Sequence, residues 1–376
     1  MALVSSRRLQ LALATAFALL LGACASSDKN KPADLGPNPG LLGVRQAWSM
    51  KLGAVGFPLE ARVTQGQVAV ASTDGTVVAL DARTGRELWR ASAKAPLAAG
   101  VGSDGTIAAV VTRGNDVVAF DSGREIWRQR LIAQTYTAPF VAGGRIFVLS
   151  ADRSVTAFDG ASGRRLWNQQ RPGDALVLRQ PGVMLAVGDT LVVGLSGRMV
   201  GLNPANGTVR WDVPIASPRG TNDVERLVDL VGPVSRTGNI VCARAFQSNL
   251  GCVDAARGTL VWSKPSVGFE GVTGDDTFVF GPEGDGKVQA WRRADGERTW
   301  TTEKLRYRQL TAPLSLGRSV IVGDNSGNVH FLSREDGSPL ARVTPDGSAI
   351  VATPVVANDT LIVVTRNGSV FGYAPE

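Results

Sequence analysis

Few side chains in this 376-residue chain have the types and spacing that covalent or metal chemistry requires. The sequence contains a single histidine, His330, so it cannot build a zinc site or a catalytic group that needs more than one imidazole. No Gly-Lys-Ser or Gly-Lys-Thr follows its Gly-rich turns, so these turns are not phosphate-binding loops. The remaining candidates are three cysteines, Cys24, Cys242 and Cys252. This inventory favours a protein that is not an enzyme and has no cofactor.

Cys24 has the setting of a lipid attachment site. Arg7 and Arg8 precede a 13-residue apolar run over 9–21, and Leu-Gly-Ala-Cys ends at Cys24. The run is shorter than the about 20 residues that span a bilayer, which is typical of a signal peptide. We predict that residues 1–23 are removed and that Cys24 carries the lipid. An ordinary secretory signal with a chance cysteine is the alternative.

The residues after Cys24 indicate where the lipid would hold the chain. Ala25 and Ser26 stand where similar enterobacterial lipoproteins carry the aspartate that retains them at the inner membrane. We therefore expect anchoring at the outer membrane, on its periplasmic side. Residues 24–42 are polar and rich in Pro, Gly and Asn, which predicts a flexible tether with a reach of about 20–25 Å. The net charge of +7 is spread thinly and does not favour nucleic-acid binding.

Cys242 and Cys252 stand five residues on either side of Gln247, in a pattern typical of two strands joined by a turn. If the turn centres on Gln247, the two cysteines face each other, and facing Cβ atoms lie about 4.5–5.5 Å apart. Because the periplasm is oxidising, we predict a disulfide. Two reduced cysteines packed as small apolar residues are the alternative.

An internal repeat defines the elements that carry these residues. Its form is Gly-x-Val-x-Ala-(Leu/Phe)-Asp-x-x-(Thr/Ser)-Gly-x-x-x-Trp, clearest at 75–89. The alternating part predicts a strand, the Asp and Gly predict a turn, and the Trp begins an outer strand that packs between repeats. The repeat ends are spaced 38 to 51 residues apart and fall at Trp48, Trp89, Trp127, Trp167, Trp211, Trp262, Trp300 and Ala341.

This period matches one four-stranded blade of a β-propeller, which takes about 40–50 residues. The last repeat stops before any Trp, and the missing outer strand is found near the N-terminus, ending at Trp48. We therefore predict an all-β fold, an eight-bladed propeller of antiparallel blades over 43–376, closed by the N-terminal strand. Two residues that stand at core positions of the repeat, Trp291 and His330, are expected to be buried rather than functional.

The repeat resembles that of the pyrroloquinoline-quinone-like propellers, which include the quinoprotein alcohol dehydrogenases and the BamB lipoproteins. The similarity to the BamB family covers the lipid attachment sequence Leu-Gly-Ala-Cys at 21–24, which resembles a bacterial lipobox, the short tether and all eight blades. The resemblance implies a scaffold in outer-membrane β-barrel assembly that binds the POTRA domains of BamA, and that could also shield nascent outer-membrane proteins. The dehydrogenases carry an adjacent cysteine pair and calcium ligands, and this sequence has no Cys-Cys dipeptide.

The longest repeat spacings, 44 and 51 residues, place extra length in two loops, over 171–180 and 217–229. Insertions on a rigid scaffold are candidate binding surfaces. The BamB resemblance implies that a Leu-x-Leu-Arg stretch and an Arg-Leu-x-Asp stretch contact BamA. These stretches correspond here to Leu176, Leu178 and Arg179, and to Arg226 and Asp229.

Three alternatives remain open at this point. Arg226 and Asp229 could pair with each other or with Arg179 to hold the loop, rather than contact BamA. Leu176 and Leu178 could instead belong to the inner strand of the fourth blade and face the core. The protein could also be a propeller that binds a cell-wall or other small-molecule ligand in its central channel, because a fold does not fix a function. A degenerate quinoprotein dehydrogenase is the less favoured form of that alternative.

Overall fold

The computed structural model describes residues 30–56, 60–172 and 176–376. Within these ranges the chain forms 32 β-strands and no helix, and the strands assemble into eight four-stranded antiparallel sheets. The predicted eight-bladed propeller is therefore confirmed. The predicted signal peptide of residues 1–23 and the predicted lipid attachment site, Cys24, lie outside the described residues. No helix in the described part is long and apolar enough to cross a membrane.

The strands are numbered in chain order, and each blade runs from the innermost strand to the outermost. The first strand, β1 (Val44–Lys51), belongs to the last blade. Blades 1 and 2 consist of β2 (Arg62–Thr64), β3 (Gln67–Ala71), β4 (Thr76–Asp81) and β5 (Glu87–Ser92), then β6 (Gly102–Ser103), β7 (Ile107–Val111), β8 (Asp116–Asp121) and β9 (Arg124–Arg130). Blades 3 and 4 consist of β10 (Phe140–Ala142), β11 (Arg145–Leu149), β12 (Ser154–Asp159) and β13 (Arg165–Gln170), then β14 (Met184–Val187), β15 (Thr190–Leu195), β16 (Arg198–Leu202) and β17 (Val209–Pro214).

The second half of the chain repeats this arrangement. Blades 5 and 6 consist of β18 (Leu230–Thr237), β19 (Ile240–Ala245), β20 (Asn249–Asp254) and β21 (Thr259–Pro265), then β22 (Thr273–Gly274), β23 (Phe278–Pro282), β24 (Val288–Arg292) and β25 (Arg298–Thr302). Blades 7 and 8 consist of β26 (Leu314–Leu316), β27 (Ser319–Gly323), β28 (Val329–Ser333) and β29 (Pro339–Val343), then β30 (Val355–Ala357), β31 (Thr360–Val364), β32 (Ser369–Pro375) and β1.

The ring closes as the sequence predicts. β1 pairs antiparallel with β32, from Val44 opposite Pro375 to Lys51 opposite Ser369. The innermost strand of the first blade, β2, contacts both β6 and β30, the innermost strands of its two neighbours. The N-terminal strand thus completes the eighth blade, and closure removes the free blade faces that an open stack would expose.

The repeated Trp and Gly residues join neighbouring blades. The indole N–H of Trp48 donates to the carbonyl of Ala82 in blade 1, at 3.0 Å. Gly85 in the same turn has φ of +68°, and a Cβ there would lie 2.4 Å from the Trp48 ring. The turn therefore needs Gly for its conformation and for the close approach of the ring. The same indole-to-carbonyl bond recurs at Trp127, Trp167, Trp262 and Trp300.

The joint is weaker at two positions. Trp211 packs against Gly258, but its indole N–H has no acceptor among the described residues. Trp89 is half-buried, as Trp48 and Trp167 are, but the turn it meets in blade 2, Asp121 to Arg124, is shorter than the others, and its indole donates no hydrogen bond to it among the described residues. The sequence repeat therefore predicts the position of every tryptophan but not how deeply each is buried.

Trp291 and His330 are buried, as predicted. Trp291 lies in the apolar cluster around Cys242 and Cys252, and the guanidinium of Arg244 sits 5.8 Å from its ring centre. His330 Nε2 lies 2.9 Å from a carboxylate oxygen of Asp324. Burial opposes ionisation of Asp324, but hydrogen bonds from His330 and Asn328 outweigh it and hold the pKa of Asp324 below its ordinary value. The only imidazole is thus used to satisfy a buried carboxylate.

The predicted tether over residues 24–42 needs a correction. Residues 33–42 do not lie free but follow the outside of blade 7, where Leu35 and Leu42 pack on apolar clusters of the propeller. The amide of Leu41 donates to the carbonyl of Leu340 at 2.8 Å. The prediction from composition was wrong for residues 33–42 because composition describes only the apolar residues of the segment itself. It does not describe the apolar surface of the propeller on which the segment packs.

Candidate functional site

All connections between consecutive blades lie on one face of the propeller. A blade has four antiparallel strands, so the chain enters and leaves it at the same end. The loops over 131–139, 171–183, 215–229 and 303–313 therefore share this face, which we call the connection face. The opposite face carries the turns that precede each fourth strand, such as 82–86, and we call it the turn face.

The two stretches singled out in the sequence meet on the connection face. Leu176, Leu178 and Arg179 lie in the loop between β13 and β14, and Asp229 lies at the end of the loop between β17 and β18. The amide N–H of Leu178 donates to Asp229 Oδ2 at 2.9 Å, although 51 residues separate them. The alternative that the leucines belong to an inner strand is wrong, because β14 begins only at Met184.

Hydrogen bonds from a buried residue of blade 3 also hold the loop over 171–183. Arg153, a buried residue of blade 3, donates from Nη2 to the carbonyl of Leu176 at 3.2 Å and from Nε to Ser196 Oγ at 2.8 Å. Leu178 is half-buried over a small cavity of about 60 Å³ that Asp229 also lines. Two side chains, Arg153 of blade 3 and Asp229 just before blade 5, therefore set the position of this loop.

Two side chains of the loop are presented outward. Leu176 keeps 38 % of its surface exposed, and Arg179 is exposed. The Arg179 guanidinium lies 5.4 Å from the centre of the Tyr136 ring, a cation–π distance. The Tyr136 hydroxyl in turn donates to Gln134 Oε1 at 2.8 Å. Stacking on Tyr136 restricts Arg179 while leaving its charged end open to a partner.

Arg226 and Asp229 differ in what they do within the second loop. Arg226 is exposed, in a turn where its amide donates to the carbonyl of Asn222 at 3.2 Å. Asp229 is half-buried, with its carboxylate on Leu178 and its carbonyl accepting from the amide of Phe246 at 2.9 Å. Asp229 is thus a positioning residue between the loops, and Arg226 is a surface residue.

Sequence reasoning missed two residues of this surface, Tyr136 and Ile132. Both lie in the 131–139 loop, whose length does not depart from the repeat. Ile132 is 92 % exposed and Val224, in the 215–229 loop, is 72 % exposed. A tyrosine in contact with an arginine, as Tyr136 is with Arg179, is typical of an interface hot spot. The signal available in the sequence was an apolar residue at a loop position of the repeat.

A second feature of the connection face is a cavity of about 960 Å³ over the central axis. Its lining includes Glu60, Glu270 and Glu283 and the rings of Phe246 and Phe269. Burial raises the pKa of Glu270 to about 7, against an opposing effect of the Arg244 guanidinium. Burial also raises the pKa of Glu60. In the described ranges, no three His, Cys, Asp or Glu residues come close enough to hold a metal ion.

The cysteine pair lies away from both features, inside blade 5. Cys242 on β19 and Cys252 on β20 are direct cross-strand partners, and the structure joins them by a disulfide. Both are fully buried, and the Arg293 guanidinium lies 3.4 Å from the sulfur of Cys242. The turn between the strands centres on Gln247, which has a positive φ of 49°.

Known proteins are similar to this chain in amino-acid sequence. The family described as "Outer membrane protein assembly factor BamB" matches residues 73–302. A protein of that name from Bordetella pertussis is 39 % identical over 346 residues, which cover 91 % of this chain and 90 % of the relative. Another from Burkholderia pseudomallei is 37 % identical over 370 residues, covering 96 % and 97 %.

Solved structures share the fold. The crystal structure of BamB from Moraxella catarrhalis superimposes with a TM-score of 0.80 at 23 % identity, covering 88 % of this chain and 99 % of that one. A quinohemoprotein alcohol dehydrogenase from Pseudomonas putida gives a TM-score of 0.68 at 15 % identity, covering 90 % and 77 %. At these identities the likeness concerns the fold alone.

The repeat, the ring of eight blades and the loop surface define a propeller of the pyrroloquinoline-quinone-like repeat class. Within that class, the chain belongs to the family of the outer membrane protein assembly factor BamB.

Proposed function

We propose that this chain is a non-catalytic scaffold of outer-membrane protein assembly that binds the POTRA domains of BamA. A lipid on Cys24 would hold it on the periplasmic side of the outer membrane. Support comes from relatives named assembly factors that are 39 % and 37 % identical over nearly their whole lengths. Burial of the only imidazole against Asp324 is consistent with a role other than catalysis.

The observation that carries the proposed site is the bond between Leu178 and Asp229, which joins the two loops. It fixes the loop that carries the exposed Leu176 and Arg179 on a surface that the blades support. Leu176 supplies apolar area, and Arg179 can form forked, charge-assisted hydrogen bonds with a partner carboxylate or carbonyl. Arg226 would extend the charged rim, while Leu178 and Asp229 would position the others.

A rigid surface suits a scaffold. The loops are attached to four-stranded blades whose interiors are closely packed, so a partner that docks on them is held in one orientation. Binding would then restrict the arrangement of flexible POTRA domains. The exposed Ile132 and Val224 would enlarge the apolar contact, or could shelter a nascent outer-membrane protein.

Calorimetric titration of the chain from residue 25 onward into the POTRA region of BamA tests the proposal. Arg179→Glu should weaken binding by about 2–5 kcal/mol, or about 30-fold and more, because it reverses a charge at the contact. The matched control is Arg83→Glu, which makes the same change at an exposed position on the turn face. Equal affinity of wild type and Arg179→Glu would reject the site, and no binding by wild type would reject the partner.

A second candidate function is ligand binding in the axial cavity, which its volume of about 960 Å³ favours. Phe246 and Phe269 pack at a ring separation of 5.6 Å and would supply an apolar wall, while Glu60 and Glu270 would supply polar contacts. Glu270→Ala would then abolish ligand binding without affecting BamA. The Arg179→Glu variant would do the reverse, so the two functions can be separated.

A further inference from the structure

A ten-residue segment, residues 33–42, forms a strap along the outer edge of blade 7. Asn38 Nδ2 donates to the carbonyl of Arg342 at 2.8 Å, and the amide of Arg342 donates to Asn38 Oδ1 at 2.9 Å. The amide of Leu41 donates to the carbonyl of Leu340. Because Asn38 pairs with residue 342 and Leu41 with residue 340, the strap runs antiparallel to β29.

The strap is fixed at both ends. At its start, the amide of Ala33 donates to the carbonyl of Arg306 at 2.9 Å, and Arg308 Nε donates to the carbonyl of Ala33 at 3.1 Å. Arg308 is itself held by the buried carboxylate of Asp324, at 3.4 Å. At the other end, Arg318 donates to the carbonyl of Leu41 at 2.9 Å.

An apolar anchor supports these bonds. Leu35 packs on a cluster between blades 6 and 7 that contains Trp300 and Leu310. Leu42 packs on the next cluster, between blades 7 and 8. Two half-buried leucines and these six hydrogen bonds are enough contact to define a path for so short a segment.

The direction of the strap determines where the chain leaves the propeller. β29 is the fourth strand of its blade and therefore ends on the connection face, so the antiparallel strap begins there. Its first residue, Ala33, is bound to the 303–313 loop of that face. Without the strap, the first fixed residue would lie near Gly43, which approaches Glu376 at the turn-face end of β32.

We infer that the strap orients the propeller on the membrane, with the connection face toward the lipid surface. The inference rests on the lipid anchor at Cys24 in the proposed function. Eight residues, 25–32, lie between Cys24 and Ala33, and the nine steps from one to the other, at about 3.5 Å each, reach at most about 30 Å. The lipid surface therefore lies on the side of the face that carries the 171–183 and 215–229 loops.

The consequence for the proposed function is geometric. A partner bound by Leu176 and Arg179 would be captured close to the membrane rather than on the far side of the propeller. A tether of residues 24–42 without the strap would leave at the turn face and would favour the opposite orientation. The strap thus turns a non-specific anchor into one that presents a particular surface.

Energy transfer to a lipid dye in vesicles measures the orientation in the full lipidated chain. Donors are attached at Asp223→Cys on the connection face or at Arg83→Cys on the turn face, both exposed positions. Cys242 and Cys252 are bonded to each other, so the introduced thiol is the one to be labelled. We expect higher transfer from position 223 than from position 83.

The strap is then released by the double substitution Leu35→Asp and Asn38→Ala, with Lys31→Ala, upstream of the strap, as the matched control. Release should abolish or reverse the difference between the two donors, and the control should keep it. Equal transfer from both donors in the parent, or a difference that survives release, would overturn the inference. Circular dichroism checks that the released variant is folded.

The outcomes separate this inference from the proposed function. If the labelled chain does not bind vesicles, the lipid anchor is wrong and the inference falls with it. If the orientation is observed but BamA does not bind in calorimetry, the proposed partner is wrong and the strap inference stands.

Discussion

Removal of the Asp229 carboxylate should loosen the candidate surface without unfolding the propeller. Asp229→Ala deletes the acceptor of the Leu178 amide, which is 2.9 Å away and is the bond that joins the two loops. A hydrogen bond to a charged group contributes about 1.5–3 kcal/mol, so affinity for BamA should fall by roughly 10- to 150-fold. Asp229→Asn keeps an acceptor oxygen and should lose less.

Hydrogen exchange of the Leu178 amide gives a readout that does not depend on BamA. The amide should exchange faster in Asp229→Ala than in wild type, while amides of the neighbouring strands β15 and β19 keep their protection. Calorimetry on the same samples supplies the affinity. If affinity falls while the Leu178 amide stays protected, Asp229 contacts the partner directly and the positioning role is refuted. If neither quantity changes, the bond does not organise the surface.

Three further predictions concern stability and localisation. Trp127→Ala should lower the free energy of unfolding by about 3–5 kcal/mol, because it leaves a cavity at a buried site and removes the donor to the Gly160 carbonyl. Trp89→Ala should lower it by less, because Trp89 is only half-buried. Equal shifts of the two variants in thermal unfolding would contradict this. The folded-state pKa of Glu270, about 7, lies above its ordinary value of 4.5, so the folded state binds the proton more tightly and stability falls as pH rises from about 4.5 to 7. The free energy of unfolding of Glu270→Gln, measured with urea, should therefore rise by up to about 3 kcal/mol relative to that of wild type between pH 5 and pH 8. A difference between the two proteins that stays constant with pH would contradict this. Cys24→Ala should fold but leave the membrane fraction, and its retention in BamA-depleted cells would argue against a lipid anchor.

The sequence predicts the blades well because each one repeats the same local code. Strand alternation, the Asp and Gly turn and the tryptophan recur at a steady period, and ring closure follows from the strand that is missing at one end and present at the other. The joint between Trp48 and Gly85 illustrates why the code is strong. The two residues lie in different blades, so the repeat is needed for packing between blades as well as within them.

The candidate surface was predictable only in part. The extra length of two loops and the similarity of short stretches located Leu176, Arg179 and Asp229. Tyr136 escaped because its loop has ordinary length, and its contact with Arg179 arises only when the loops of blades 3 and 4 come together. The lack of an indole-to-carbonyl bond at Trp89 escaped for a similar reason, since that bond depends on a turn in the next blade.

The strap shows the limit of composition as a guide. Residues 33–42 are polar and contain Gly and Pro, which alone predicts a flexible chain. The free edge of β29 supplies donors and acceptors, and the clusters beside Trp300 supply apolar surface. Whether a polar segment orders thus depends on the surface it meets.

Photo-crosslinking in intact cells tests the central claim most directly. A photoreactive amino acid is placed at Leu176 or, as a control, at Arg83 on the turn face, and the adducts are probed for BamA. We predict an adduct with the POTRA region from position 176 and none from position 83. The opposite pattern, or no BamA adduct from position 176 in cells where the protein is folded and localised, would contradict the proposed surface.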